Sequence, residues 1–330
     1  MSDSKQHYLD RYAKKEFRSE YKEYLENPYG ECPYADIDAV RTMDEKFYND
    51  MTDFLTISIG DSKYEFERPE KSKYPFAIKF RDMDVPADHI YLTSDQFGFS
   101  APYGGVGKDN KCKKSSSWNG RKNYPYARYL SVNCDDDKGA GNSNEAEFVA
   151  SCIYETRTIG GSFLWPKVEI GGQYKSSYNR QRGEQNYTED RVDITLYEIK
   201  CFYDVYSKLE ENNYENFKAN FKDYKGIILF NSQGEGERKA IYRWLSIFET
   251  FERYVEKLKF DDFVIKKMGE YLIRDMASER ALSPLDITKI KKIQNMDSSE
   301  LKILLENVKE CTESRTEKIQ KLVIERRGMQ

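Results

Sequence analysis

The sequence predicts an α+β fold with a central mixed or antiparallel sheet, packed helices and a helical C-terminal subdomain. Three observations carry this. Aromatic residues alternate with charges over Lys63–Arg68, as in a half-buried strand. An apolar run at Phe148–Tyr154 has the length and composition of a central strand. From Thr195 onward, apolar residues recur at spacings of three and four in several successive runs, which is the period of helices with one buried face.

In chain order, Tyr8, Tyr12, Phe17 and Tyr21 lie at near-helical spacing ahead of Asn27-Pro28-Tyr29-Gly30, so residues 1–30 read as an N-terminal helical arm. An α+β core is expected over 31–235. Met43, Phe47, Met51 and Phe54 predict a short helix, followed by a β-like Leu55–Gly60. Gly60-Asp61 turns the chain into the Lys63–Arg68 strand. Pro69, Pro75 and Pro86 divide the segment beyond it, and a small antiparallel sheet should continue through His89–Leu92.

Residues 94–146 form an irregular insertion rich in Gly, Ser and Asn. Its Gly-Gly-Val-Gly-Lys run is not a phosphate loop, because Asp109 follows Lys108 where a magnesium-binding hydroxyl is needed. Lys113, Lys114, Trp118, Arg121, Lys122 and Tyr124 form a candidate basic aromatic surface, with cations for phosphates and rings for bases. The favoured reading is a solvated insertion anchored by its rings, with Asp135, Asp136 and Asp137 folding back on the cations.

The expected strand at Phe148–Tyr154 delivers Arg157 to a turn at Thr158–Gly161, and Ser162–Pro166 returns as a short strand. Arg157 with the backbone N–H groups of Gly160 and Gly161 could clamp an anion. The preferred alternative is an arginine that pins the turn by pairing with a carboxylate. Arg180, Arg182 and Arg191 extend the theme, with Asn179, Asp190 and Asp193 as orienting groups. Converging guanidinium groups would make a polyanion pocket, whereas pairing of Arg191 with Glu189 or Asp193 would make a fold-fixing ion network.

Thr195 and Glu198 have capping-box spacing, with Asp193 a competing cap, ahead of the stripe Leu196, Ile199, Phe202, Tyr203, Tyr206 and Leu209. Tyr224–Asn231 reads as a strand. One long helix is expected from Glu237 to Lys259 on Ile241, Trp244, Leu245, Phe248, Phe251, Val255 and Leu258. It opens a helical subdomain at 236–330. There Asp297 and Glu300 have capping-box spacing before Leu301, Leu304, Leu305, Val308, Ile319, Leu322 and Val323.

The segments Arg157-Thr-Ile-Gly-Gly-Ser-Phe-Leu-Trp-Pro166, Asn179-Arg-Gln-Arg-Gly183 and Asp190-Arg-Val-Asp-Ile-Thr-Leu196 together resemble an uncharacterised family of bacterial and bacteriophage proteins. The resemblance implies a phage, prophage or defence-related setting and carries no biochemical activity with it.

Composition narrows the classes. Net charge is -4, from 53 Lys plus Arg against 57 Asp plus Glu, which weakens any whole-surface attraction to nucleic acid. No apolar run approaches the ~20 residues of a membrane span, and a cytoplasmic location is expected. Six scattered cysteines form no C-x-x-C pair and only two histidines are present, so neither a metal nor a cofactor is expected. Cys152 and Cys201, on apolar runs, read as buried free thiols. The favoured function is a noncatalytic interaction or assembly protein that forms a homo-oligomer, with a host or defence protein as its partner. The alternative is a protein or enzyme that binds a nucleotide, nucleic acid or other phosphate-containing ligand through the arginine-rich span.

Overall fold

The fold is α+β, with one antiparallel sheet. A computed structural model describes residues 45–61, 63–67, 77–82, 89–96, 129, 132–133, 148, 152, 158–170, 173–176, 192–221, 234–265 and 295–328. Within these, helix α1 (Glu45–Ser58) precedes strands β1 (Tyr64–Glu67), β2 (Ala77–Asp82) and β3 (His89–Gln96). A 3-10 turn at Ile159–Gly161 leads into β4 (Ser162–Ile170) and β5 (Gln173–Ser176). Helices α2 (Val192–Tyr206), α3 (Tyr214–Phe221), α4 (Glu235–Ser246), α5 (Phe251–Leu258), α6 (Asp261–Ile265) and α7 (Ser298–Gly328) follow.

The five strands pair in the order β1-β2-β3-β4-β5, every neighbour antiparallel. Period-two alternation puts the buried Phe66, Ile78, Phe80, Leu92, Leu164 and Pro166 on one face, since Phe66 faces Phe80, Ile78 faces Leu92 and Leu92 faces Pro166. Glu65, Glu67, Lys79 and Arg81 occupy the other face, where Arg81 pairs with both glutamates and Lys79 with Glu67. Pro166 is tolerated because β5 pairs only with Lys167–Ile170, leaving Pro166 with one described neighbouring strand.

Helices cover the apolar face. The Trp244 ring of α4 meets Phe80 edge-on at 6.1 Å between centroids, and Arg243 lies 3.8 Å from Asp82 at the end of β2. Much of the helical core consists of rings. Phe202, Tyr203 and Tyr206 of α2 pack with Phe217 of α3, Tyr242 of α4 and Phe251 and Tyr254 of α5. Tyr203 buries its ring and donates its hydroxyl to the Leu245 carbonyl at 2.7 Å, so it is a core residue with a polar rim.

Four local readings are corrected. Leu55–Ser58 continues α1, because Met51, Phe54, Leu55 and Ser58 are buried at helical spacing; the apolar run is too short to decide its own period. Phe148 and Cys152, four residues apart in the expected central strand, are both helical. Helix α2 begins at Val192, which places Thr195 inside it rather than at its cap. The expected helix from Glu237 to Lys259 is broken between Ser246 and Phe251. There Glu249 takes a left-handed φ of 62°, and Thr250, in extended conformation, accepts the Arg253 N–H as the new N-cap.

Helix α5 ends on a left-handed Lys259. The Phe260 N–H reaches back to the Val255 carbonyl and the Lys259 N–H to that of Glu256, a Schellman closure. Helix α7 opens with a reciprocal capping box, Glu300 N–H to Asp297 Oδ1 and Asp297 N–H to Glu300 Oε2, both at 2.9 Å. Its buried positions run Leu301, Leu304, Leu305, Val308, Cys311, Thr312, Arg315, Thr316, Ile319, Gln320 and Val323. The stripe expected to serve folding or self-association is therefore turned into its own chain. At its far end Arg327 lies 2.8 Å from the buried Asp50 and 2.5 Å from Asp53, tying α7 to α1. Cys152, Cys201 and Cys311 are buried. No helix among the described residues is long and apolar enough to cross a membrane. The expected arm at 1–30, the insertion at 94–146 outside β3 and residues 129, 132 and 133, and the strand at 224–231 lie outside the described residues.

Burial raises the phenol pKa of Tyr64, Tyr203, Tyr206, Tyr242 and Tyr254, and raises that of Tyr214 to about 12 with Glu235 adding to the effect. Each such group stabilises the fold fully below the unfolded value of ~10 and loses that contribution as pH climbs toward the folded value. Arg315, pulled down to about 9 by burial, has the opposite sign, since its penalty fades as pH rises through that value. One group opposes six, so stability should fall steeply above pH ~10. Tyrosinate absorbance and helical circular dichroism are expected to change together in one alkaline transition; gradual ionisation with intact ellipticity would refute this.

Candidate functional site

The best-built polar constellation among the described residues joins the turn after Arg157 to the middle of α7. Thr158 is extended at φ -78° and ψ 174°, and Ile159, Gly160 and Gly161 are buried. A Cβ on Gly160 would collide with the Thr312 carbonyl oxygen and lie 2.5 Å from the Thr316 nitrogen. Those are backbone atoms of a helix and cannot yield. Glycine is therefore required here for close approach of two backbones.

The polar groups of the turn are matched one by one. Thr316 Oγ1 donates to the Thr312 carbonyl at 2.8 Å, so its lone pairs accept from Thr158 Oγ1 at 2.6 Å and from the Gly160 N–H at 3.1 Å. The Gly161 N–H bonds to the Thr158 carbonyl at 3.1 Å. Arg315 completes the arrangement. It is only 1% exposed, yet it donates from Nη1 to the carbonyls of Gly160 at 2.6 Å and Ser162 at 2.7 Å, and from Nε to that of Leu258 at 2.9 Å. Its Cζ also sits 4.0 Å from the centroid of Phe260, whose ring stacks on Tyr254 at an interplanar angle of 5°.

Burial lowers the Arg315 pKa, and the result, about 9, leaves the guanidinium cationic at neutral pH. Carbonyl dipoles and a ring face replace its water shell. Desolvating such a cation costs several kcal/mol, roughly recovered only when every donor has an acceptor.

This arrangement reassigns two of the expected site residues. Gly160 and Gly161 were candidate anion donors, but both N–H groups are consumed inside the fold, one by Thr316 and one by Thr158. Gly160 serves close packing, and the Gly161 amide closes the turn. Asp193 falls in the first turn of α2. Arg157, Asn179, Arg180, Arg182, Asp190 and Arg191, and the basic aromatic candidates Lys113, Lys114, Trp118, Arg121, Lys122 and Tyr124, lie outside the described residues. Their position in the chain is still informative, since β5 ends at Ser176 and α2 begins at Val192, so the arginine-bearing stretch connects a strand of the sheet to a helix. No group of three or more His, Cys, Asp or Glu suited to a metal occurs among the described residues.

Thr312, Arg315 and Thr316 were not singled out in the sequence. A signal existed: the apolar stripe of α7 lapses between Cys311 and Ile319, and these residues stand in phase with it. A charged residue in phase with a buried stripe reads as a flaw in the pattern until its carbonyl partners are known.

Gly160→Ala should destabilise the protein by about 3 kcal/mol, because overpacking against backbone cannot relax. Arg315→Ala should cost about 3–5 kcal/mol, having orphaned the carbonyls of Gly160, Ser162 and Leu258. Urea unfolding would measure both, and a loss below about 1 kcal/mol for either would contradict the packing described.

Comparison with curated proteins and with solved structures gave no match. Over residues 129–232, which contain the whole span from Arg157 to Asp193, the chain is similar to a family of unknown function (DUF6994).

Proposed function

We propose that this is a noncatalytic protein-interaction protein that presents the segment between β5 and α2 to a partner. One observation supports the reading most: the 15-residue stretch 177–191, which carries Arg180, Arg182 and Arg191, lies between strand β5 of the sheet and helix α2. Segments that connect such elements often carry binding, and arginine is among the residues that most often dominate protein interfaces. The motif resemblance to bacterial and bacteriophage proteins favours a phage or prophage factor that works in the cytoplasm, binds a host defence protein and inhibits it. Homo-oligomerisation would have to use a surface other than the buried stripe of α7.

The second reading is a site for a phosphate-containing ligand, nucleotide or nucleic acid, supported by the same arginines and their planar fork. Titration with short DNA, short RNA and nucleoside triphosphates at two salt concentrations separates the two. The interaction reading expects only weak binding that disappears as salt rises and shows no preference among the probes. Saturable binding at micromolar concentration or tighter, lost in an Arg180→Ala, Arg182→Ala, Arg191→Ala triple variant that keeps its thermal stability, would establish the second reading instead.

A further inference from the structure

We propose that α7 is a latch on the Thr158–Ser162 turn, so that the turn and the start of β4 against β3 keep their geometry only while Thr312, Arg315 and Thr316 are docked. The inference is independent of what the arginine segment binds. It follows from how completely the turn depends on one helix more than 150 positions away in sequence. Thr158 Oγ1 and the Gly160 N–H both end on Thr316, while the Gly160 and Ser162 carbonyls both end on Arg315. Gly160 has no side chain to act as a spacer, so the two backbones touch directly. The β3–β4 ladder starts at Ser162 opposite Gln96, one residue past the turn. Loss of the latch would therefore release the beginning of the ladder.

The contact is also cooperative in form. Arg315 spans three segments at once, because the same guanidinium that holds Gly160 and Ser162 holds the Leu258 carbonyl at the end of α5. A partly withdrawn guanidinium would be a buried cation short of acceptors, so half-docked states are disfavoured. The region similar to DUF6994, residues 129–232, ends well before α7 begins at Ser298. The working unit around the turn is thus wider than that region.

Native-state hydrogen exchange of the full chain in increasing, sub-denaturing urea tests this. The latch expects the amides of Thr312–Ile319, of Gly160 and Gly161 and of β4 to merge on one urea dependence, opening before those of α2 and α4. Opening of the turn at its own, lower free energy while α7 remains protected would overturn it, as would merging only at global unfolding. A Thr316→Val variant, which removes one hydroxyl and keeps the shape, should speed exchange in the turn and β4 by roughly tenfold with less than about twofold change in α2 and α4. An even rise across all these elements, or no rise in the turn, would count against the latch.

Discussion

A buried guanidinium without a carboxylate among its described partners is the constraint on which much of this molecule depends. Arg315 is cationic, nearly inaccessible, and held by the carbonyls of Gly160, Ser162 and Leu258 together with the face of Phe260. An acid could have neutralised the charge in any of several geometries. Backbone carbonyls are less forgiving, because each belongs to a chain segment whose path must be correct before the oxygen arrives. Satisfying Arg315 therefore sets the relative positions of the turn, the end of α5 and the last helix at one stroke. The Schellman closure of α5 belongs to the same device, since it delivers Phe260 beneath the guanidinium immediately after Leu258 has offered its carbonyl.

The remainder of the core shows why a chain with 26 tyrosines folds without aliphatic dominance. Rings from α2, α3, α4 and α5 meet edge-on or tilted, as their quadrupoles favour, and Tyr203 carries its hydroxyl to the Leu245 carbonyl. Tyr254 links the two systems. It packs against Tyr203 and Phe248 on one side and stacks on Phe260 on the other, so the aromatic core and the arginine clamp share a wall.

The candidate site was legible in outline and misread in detail. Arg157-Thr-Ile-Gly-Gly stands out in any scan because glycines beside a cation suggest an anion nest. Both amides serve the fold: that of Gly161 closes the turn on the Thr158 carbonyl, and that of Gly160 ends on Thr316, in a helix that appeared to have a polar gap in its stripe. Nothing local in residues 157–162 announces a partner at 312–316. The arginines at 180, 182 and 191 remain a property of the chain's order, placed between β5, which the sequence pattern does not anticipate, and α2, whose helical stripe it does.

Local chemistry alone determined the α+β class, the strand at Tyr64–Glu67 and the His89–Leu92 part of β3, the capping box of Asp297 with Glu300, and the burial of Cys152 and Cys201. Each depends on periodicity or on groups three or four residues apart, which the sequence displays. Tertiary structure decided that Leu55–Ser58 is helical, that the chain breaks at Glu249 and Thr250, and that Arg315 belongs inside. Short apolar runs satisfy either period, and a buried cation is stable only with acceptors gathered from across the chain. Those outcomes rest on contacts between distant segments, which exist only once the whole chain has packed.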